Sequence, residues 1–245
     1  MRKLNLTSFI VFLLSLNIAA DVTAQETKNS NDGFLDFNFY PYLNDVDNDS
    51  VVTINIAANL PRRLSYFSLT NFSNQDNRGE LEDTTSFYTE QNLRWEIGDN
   101  SSIDLTAQYN LRSGIDNDRL RFGFRWRLND YPVFSNFFNY LSLQWSINFH
   151  LLQLDHEDAQ VWQMEHVFML RLPKVSERLY LGGFIDHTFN EDLPADFPGS
   201  PVVGEVQLGY RLANNFYAVV EYRINEYRRS DTNNLAAGIE YKIKW

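Results

Sequence analysis

Three short constellations in this chain have residue types that could do chemistry. In Ser146-Ile147-Asn148-Phe149-His150, a hydroxyl, an amide and an imidazole alternate with apolar residues. Read as a strand, this places Ser146, Asn148 and His150 on one face. Ser146 and His150 then lie roughly 13 Å apart, too far for a serine to pass its proton to the imidazole. Nor is it the His-x-Ser arrangement of outer-membrane phospholipases. His156 stands between Asp155 and Glu157, and Asp186 precedes His187, but neither pair has a nucleophile at motif spacing. The chain contains no H-E-x-x-H, G-x-S-x-G or P-loop pattern. The expectation is a protein that is not an enzyme and carries no cofactor or metal.

A fourth constellation is larger. Arg119, Arg121, Arg125 and Arg127 alternate with Leu120, Phe122, Phe124 and Trp126. Just before them, Asp104, Thr106, Gln108, Asn110 and Arg112 alternate with Ile103, Leu105, Ala107, Tyr109 and Leu111. A period of two is that of a strand with one apolar and one polar face. Such a face binds charged or polar solutes when it lines a pore, and serves as a wetted surface otherwise.

The same pattern runs through the chain. Strands are predicted near 34–40, 51–59, 64–73, 85–97, 102–112, 119–128, 141–151, 159–172, 178–189, 202–212, 216–225 and 234–245. Residues 129–139 read either as a short interfacial helix or as an irregular aromatic turn. Gly182-Gly183 suggests a bulge or a close backbone approach. The connections 60–63, 98–101 and 173–177 are short, as is 213–215. Longer ones (41–50, 74–84, 153–158, 190–201, 226–233) lie at the other end, with the shorter 113–118.

This is the asymmetry of an outer-membrane barrel with short periplasmic turns. The fold class is therefore all-β, a single antiparallel transmembrane β-barrel of about twelve strands. A soluble sandwich would also have an apolar face. The aromatic residues near strand ends and the amphipathic last strand ending at Trp245 favour the barrel.

Composition agrees without deciding. Mean hydropathy is −0.38, which reads as soluble, but barrel strands hide from hydropathy because alternate residues face a lumen. Arg2 and Lys3, the apolar run Ser8–Ala20 and Val22-Thr23-Ala24 have the layout of a secretory signal peptide over 1–24. Residues 25–33 read as a polar lead-in and 34–245 as the barrel. The chain has no cysteine, which excludes disulfides and thiol chemistry. A net charge of −11 argues against nucleic acid as a partner. Acidic residues concentrate in the longer connections: Asp45, Asp47, Asp49, Glu80, Glu82, Asp83, Asp155, Glu157, Asp158, Glu191, Asp192 and Asp196. They suggest a crown that meets cations between lipopolysaccharide phosphates. The expected partners are outer-membrane lipid and lipopolysaccharide, the barrel-assembly machinery and a small polar solute.

The lumen face holds both signs of charge. Its bases include Arg94, Arg112, Arg119, Arg121, Arg125, Arg127, Arg171, Arg211, Arg223 and Lys242. Its acids include Glu90, Glu96, Asp104, Glu165, Asp186, Glu205, Glu221 and Glu240. Centring the hairpin on its loop puts Asp104 opposite Arg127 and Arg112 opposite Arg119. Tyr88, Tyr180, Tyr210, Tyr217 and Tyr222 are candidates for stacking on a sugar or base. The candidate solute-binding set is Tyr88, Glu90, Arg94, Asp104, Arg112, Arg119, Arg121, Arg125 and Arg127. Two readings remain: ion-pair ladders that narrow the lumen, or a selectivity track.

In size, strand count and the order of local patterns, the mature chain resembles the nucleoside-specific outer-membrane channel (Tsx-like) family. The resemblance rests on Leu64–Leu69 (LSYFSL), Phe87–Ile97 (FYTEQNLRWEI), Leu141–Phe149, Val161–Pro173 and YLGGFIDHTFNED at 180–192. It implies a monomeric, narrow, passive channel for nucleosides or similar small polar solutes. The arginines alone suggest porins for acidic oligosaccharides. The functional expectation is a passive outer-membrane channel; the alternative is a closed barrel with a lipid-hydrolase or structural surface role.

Overall fold

The structure, a computed structural model, describes residues 32–43, 49–74, 84–113, 118–154 and 160–245. The expected signal peptide, most of the expected lead-in, His156 with its acidic neighbours, and most of the proposed acidic crown lie outside the described residues. Twelve strands follow in order: β1 (Gly33–Phe39), β2 (Asp49–Leu60), β3 (Leu64–Asn74), β4 (Thr84–Glu96), β5 (Ile103–Arg112), β6 (Arg119–Arg127), β7 (Leu143–Leu154), β8 (Trp162–Arg171), β9 (Leu179–Phe189), β10 (Val202–Ala213), β11 (Phe216–Asn225) and β12 (Asn233–Lys244). Each pairs antiparallel with its neighbours in sequence, and β12 pairs back with β1 to close the barrel. Gly33 and Trp245 exchange backbone hydrogen bonds of 3.1 and 3.2 Å at the seam. Closure leaves no strand edge, as a hydrocarbon surround demands.

The burial pattern is inverted relative to a soluble protein. Asn92, Gln108, Asn148, His150, Glu221 and Glu240 are buried, whereas Leu105, Leu151, Leu212 and Ile239 are exposed. The alternation has sent the polar set inward and the apolar set outward. Trp95, Tyr210, Tyr222 and Tyr241 stand on that outer face and are exposed, as expected of an aromatic belt at the bilayer interface. An apolar belt around a closed polar lumen is the build of a bacterial outer-membrane protein.

Four expectations are settled by the geometry. The segment after β6 forms a short 3₁₀ turn (Leu128–Asp130) and then helix α1 (Pro132–Leu141). Pro132 starts α1 without losing a bond, and Ser142, left-handed at φ 56°, ends it. Leu141 therefore belongs to the helix rather than to the seventh strand. Uncharged and aromatic, α1 packs on the outside of the barrel, with Phe134 against Trp126 and Phe138 against Trp145.

The β5–β6 register is offset by two residues from the centred hairpin: Asp104 faces Arg125 and Asn110 faces Arg119. Because the offset is even, no side chain changes face. Arg112 is thereby relieved of Arg119 and pairs across the other side with Tyr88.

Gly182-Gly183 is not a bulge, since the register runs unbroken through both. A side chain on Gly183 would come within 2.0 Å of the Glu205 carbonyl. Register shifts lie elsewhere, one of them between Phe122 and Gly123 against β7, where a side chain on Gly123 would meet the Phe149 carbonyl at 1.7 Å.

Candidate functional site: the barrel lumen

The inward face of the strands encloses a cavity of about 1040 Å³. Arg127, Asp130 and Lys242 line it at the short-turn end, and Arg112, Arg119 and Tyr227 at the long-loop end. A cavity of that volume suits a small molecule.

One wall, β4 to β8, is thickened by a hydrogen-bonded layer. Arg121 donates from Nε to Gln153 Oε1 (2.7 Å) and from Nη1 to Gln108 Oε1 (3.0 Å). Gln108 in turn meets the Nε2 of His150 at 3.3 Å. Asn148 donates to Glu165 (2.5 Å), Asn92 donates to Glu90 (2.6 Å), and the Tyr88 hydroxyl donates to Glu90 (3.1 Å). Asn92, Gln108, Asn148 and His150 lie within this layer and do not line the cavity. Most of these buried polar groups bond one another, whereas Asn148 Oδ1 and His150 Nδ1 have no partner among the described residues.

Towards the short-turn end, Asp104 is 1% exposed and holds two arginines. Arg125 donates from Nε and Nη2 at 2.6 and 2.5 Å, and Arg127 donates from Nη1. Arg127 also reaches Glu96 (3.2 Å) and Asp130 (2.5 Å). On the facing wall, Lys242 is paired with Glu240 (2.6 Å) and Asp36 (3.6 Å) and ringed by Phe34, Tyr180 and Tyr217. Arg223 joins Glu205 (2.7 Å) and Glu221 (3.0 Å).

At the long-loop end the pattern differs. Arg119 donates to Glu191 (2.9 Å) of the β9–β10 connection, and Tyr227 of the β11–β12 connection donates to the same carboxylate. Burial and that hydrogen bond push the Tyr227 hydroxyl above its ordinary pKa. Arg112 lies over the Tyr88 ring at 5.3 Å, and its Nε has no hydrogen-bond partner among the described residues. Asn110, 2% exposed, lines the cavity with an unpartnered Oδ1. Arg112 and Arg121 are thus cavity-lining cations without a carboxylate bonded to them among the described residues.

Of the nine candidate residues, Tyr88, Glu90, Arg112, Arg119, Arg121, Arg125 and Arg127 line the cavity. Arg94 and Asp104 are buried behind its surface, Arg94 over the Phe67 ring and Asp104 beneath its two arginines. Among the tyrosines, Tyr88, Tyr180 and Tyr217 face inward, whereas Tyr210 and Tyr222 lie on the lipid side. Ser146 lines the cavity, but His150 is turned to Gln108 and to Glu165 at 3.6 Å. Asp186 and His187 project to opposite faces, as neighbours in a strand must.

Sequence reasoning missed Asp36, Gln108, Gln153, Asn110, Glu191 and Tyr227. Asp36, Gln108 and Asn110 are visible in the alternation as inward positions; Gln153 is not, because the register shift after His150 reverses the alternation on β7. The last two sit in loops, where no period marks a side chain's direction.

No family model matches the chain, and no curated protein matches it. Solved structures do. A KdgM porin superimposes with a TM-score of 0.50 at 12% identity, over 86% of this chain and 98% of that one. A NanC porin gives a TM-score of 0.52 at 8% identity, over 86% of this chain and all of its own (100%). The outer membrane phospholipase A of Escherichia coli follows at a TM-score of 0.47 and 9% identity, covering 89% of this chain and 94% of that one. Nucleoside specificity is not part of what these likenesses carry. At such identities they speak to architecture, and the architecture is that of the twelve-stranded outer-membrane porins.

Proposed function

We propose that this chain is a passive channel for small polar solutes across the outer membrane, nucleosides and related metabolites among them. The observation that carries the reading is the cavity itself, lined from Arg127 and Lys242 at one end to Arg112 and Tyr227 at the other. Its solute-facing groups are mixed: the Arg112–Tyr88 pair offers a guanidinium and a ring together, and Glu90 and Asn110 offer acceptors. A nucleoside has a face to stack and hydroxyls to donate. Because Arg112 and Arg121 have no bonded carboxylate among the described residues, solutes with anionic or acceptor-rich groups, acidic sugars included, form the second reading. Lipopolysaccharide around the belt and the assembly machinery at the last strand are the proposed partners outside the lumen.

Conductance of the refolded mature protein in a planar bilayer tests this. Stepwise currents blocked by a nucleoside support the first reading, and block by acidic sugars alone supports the second. A correctly folded barrel that passes no current refutes both. A closed surface barrel would then be tested by lipid hydrolysis and by labelling of Ser146 with a serine-reactive probe.

A further inference from the structure

Ion pairing among the described lumen carboxylates is uneven. Asp36, Glu96, Asp104, Glu205, Glu221 and Glu240 each have an arginine or lysine nitrogen within 3.6 Å. Glu90, Glu165 and Asp186 line the cavity with no such partner among the described residues. Glu90 is held by the neutral donors Tyr88 and Asn92. Glu165 is held by Asn148, with the His150 ring at 3.6 Å, and Asp186 by Gln163. The fold nevertheless sets these three against one another. Glu165 and Asp186 are direct partners in the β8–β9 ladder, both on the inward face. Glu90 of β4 lies within electrostatic reach of both.

Like charges so placed oppose folding unless a positive charge or a proton lies between them. The guanidinium groups in reach are Arg121 and Arg94. Arg121 is bonded to Gln108 and Gln153, and Arg94 lies over the Phe67 ring, behind the cavity surface. Two cations against three carboxylates leave one negative charge to be met. Neutral acceptors surround it. Asn110 is the cross-strand partner of Glu90, and Gln163 precedes Glu165 by two residues on the same face. These amides are 2% and 4% exposed and line the cavity. Asn110 Oδ1, Gln163 Oε1 and Asp186 Oδ1 have no hydrogen-bond partner among the described residues. Buried acceptors left open beside carboxylates call for a cation with several donors. A metal ion does not answer, because no three carboxylate or imidazole groups among the described residues stand close enough to hold one. A primary ammonium does, with one charge and three N–H donors.

We propose that Glu90, Glu165 and Asp186, with Asn110 and Gln163, form a lumen site for the ammonium group of a small amine-bearing polar solute. The site rests on the channel reading for its access and deepens it by naming a solute class. It is the counterpart of Arg112: one part of the wall holds a cation without a carboxylate, and this part holds carboxylates without a cation.

Isothermal titration of the refolded mature protein in detergent micelles tests this, at about pH 7.5, where an unperturbed imidazole is mostly neutral. The probe is 6-amino-6-deoxyglucose, compared with glucose, which has a hydroxyl in place of the ammonium. The expected result is binding of the amine about tenfold tighter or more. Asp186→Asn and Glu165→Gln, with folded barrels confirmed by heat-modified gel mobility, should each reduce that preference about tenfold, the effect of losing a hydrogen bond between charged groups. Glu205→Gln, at a carboxylate paired with Arg223, should keep the preference. Equal binding of amine and glucose to the folded barrel would overturn the proposal. So would an equal loss at Glu205→Gln, which would reduce the site to the overall charge of the lumen. Binding is read here without conduction. A barrel that binds the amine but passes no current therefore refutes the channel reading alone, and a conducting barrel blind to the ammonium refutes the site alone.

Discussion

Removing the Asp104 carboxylate tests whether the lumen arginines are scaffold or selectivity track. In Asp104→Ala, Arg125 loses two bonds and Arg127 one, while Arg127 keeps Glu96 and Asp130. Breaking a buried ion pair by deleting one partner costs about 3–5 kcal/mol, because the remaining charge stays desolvated. Here the arginine side chains are 18% and 22% exposed to the cavity, so water recovers part of that loss and the lower end, about 3 kcal/mol, applies. With a urea dependence of roughly 2–3 kcal/mol/M, the unfolding midpoint should fall by about 1–1.5 M. The assay is urea unfolding of the refolded protein in vesicles, followed by tryptophan fluorescence. A companion Asp104→Ala/Arg125→Met chain should recover part of the loss, since it removes the stranded charge as well. In the same variants, reversal potentials under a salt gradient should shift towards anions for Asp104→Ala and return for the double substitution. An unchanged midpoint and an unchanged reversal potential would refute the assignment of Asp104 as the group that neutralises this pair.

Three further outcomes are expected. Arg112→Gln should weaken block by acidic sugars on the order of tenfold, since a hydrogen bond to a charged group is worth about 1.5–3 kcal/mol, while leaving the urea midpoint unchanged. Arg62→Gly should raise the midpoint in urea, because Arg62 sits at φ 63° and a left-handed side chain costs roughly 1–2 kcal/mol that glycine does not incur. Gly183→Ala should lower the yield of folded, heat-modifiable barrel, since its methyl would meet the Glu205 carbonyl and open the β9–β10 ladder; an unchanged yield would refute the need for glycine there.

The period-two alternation was enough to place twelve strands and to sort the charged residues inward, but the stacking candidates Tyr210 and Tyr222 lie on the lipid side and the β7 register shift reverses the pattern at Gln153. Every charged residue assigned to the lumen face from sequence has its neighbours in register on that face, from Arg94 on β4 to Lys242 on β12. The pattern could not give register. A hairpin centred by counting brings Asp104 to Arg127, and the two-residue offset that puts it opposite Arg125 leaves every face unchanged. It was equally silent on α1, where Pro132 and an aromatic run fit a turn as well as a helix until Trp126 and Trp145 are seen to receive it. Contacts made by distant loops, such as Tyr227 on Glu191 and Glu191 on Arg119 of β6, have no local signature at all.

That division decides how the arginines should be read. Alternation treats Arg112, Arg119, Arg121, Arg125 and Arg127 as equivalent, because it fixes only the face. Height along the bore and the neighbouring strands fix the partner, and these separate them. Arg125 and Arg127 are committed to Asp104, and Arg119 to Glu191. A guanidinium already bonded to a carboxylate has little left to offer a passing anion, since the solute must displace a partner held at short range. Arg121 is held by the neutral amides of Gln108 and Gln153, which position it without cancelling its charge. Arg112 rests on a tyrosine ring, which likewise leaves the charge intact. We therefore propose that most of the arginine ladder is scaffold and that the part fit to meet a solute is Arg112 towards the long-loop end, Arg121 being only 4% exposed and held by Gln108 and Gln153. It follows that neutralising Arg112 should change what enters, and neutralising Arg125 should change how firmly the barrel stands.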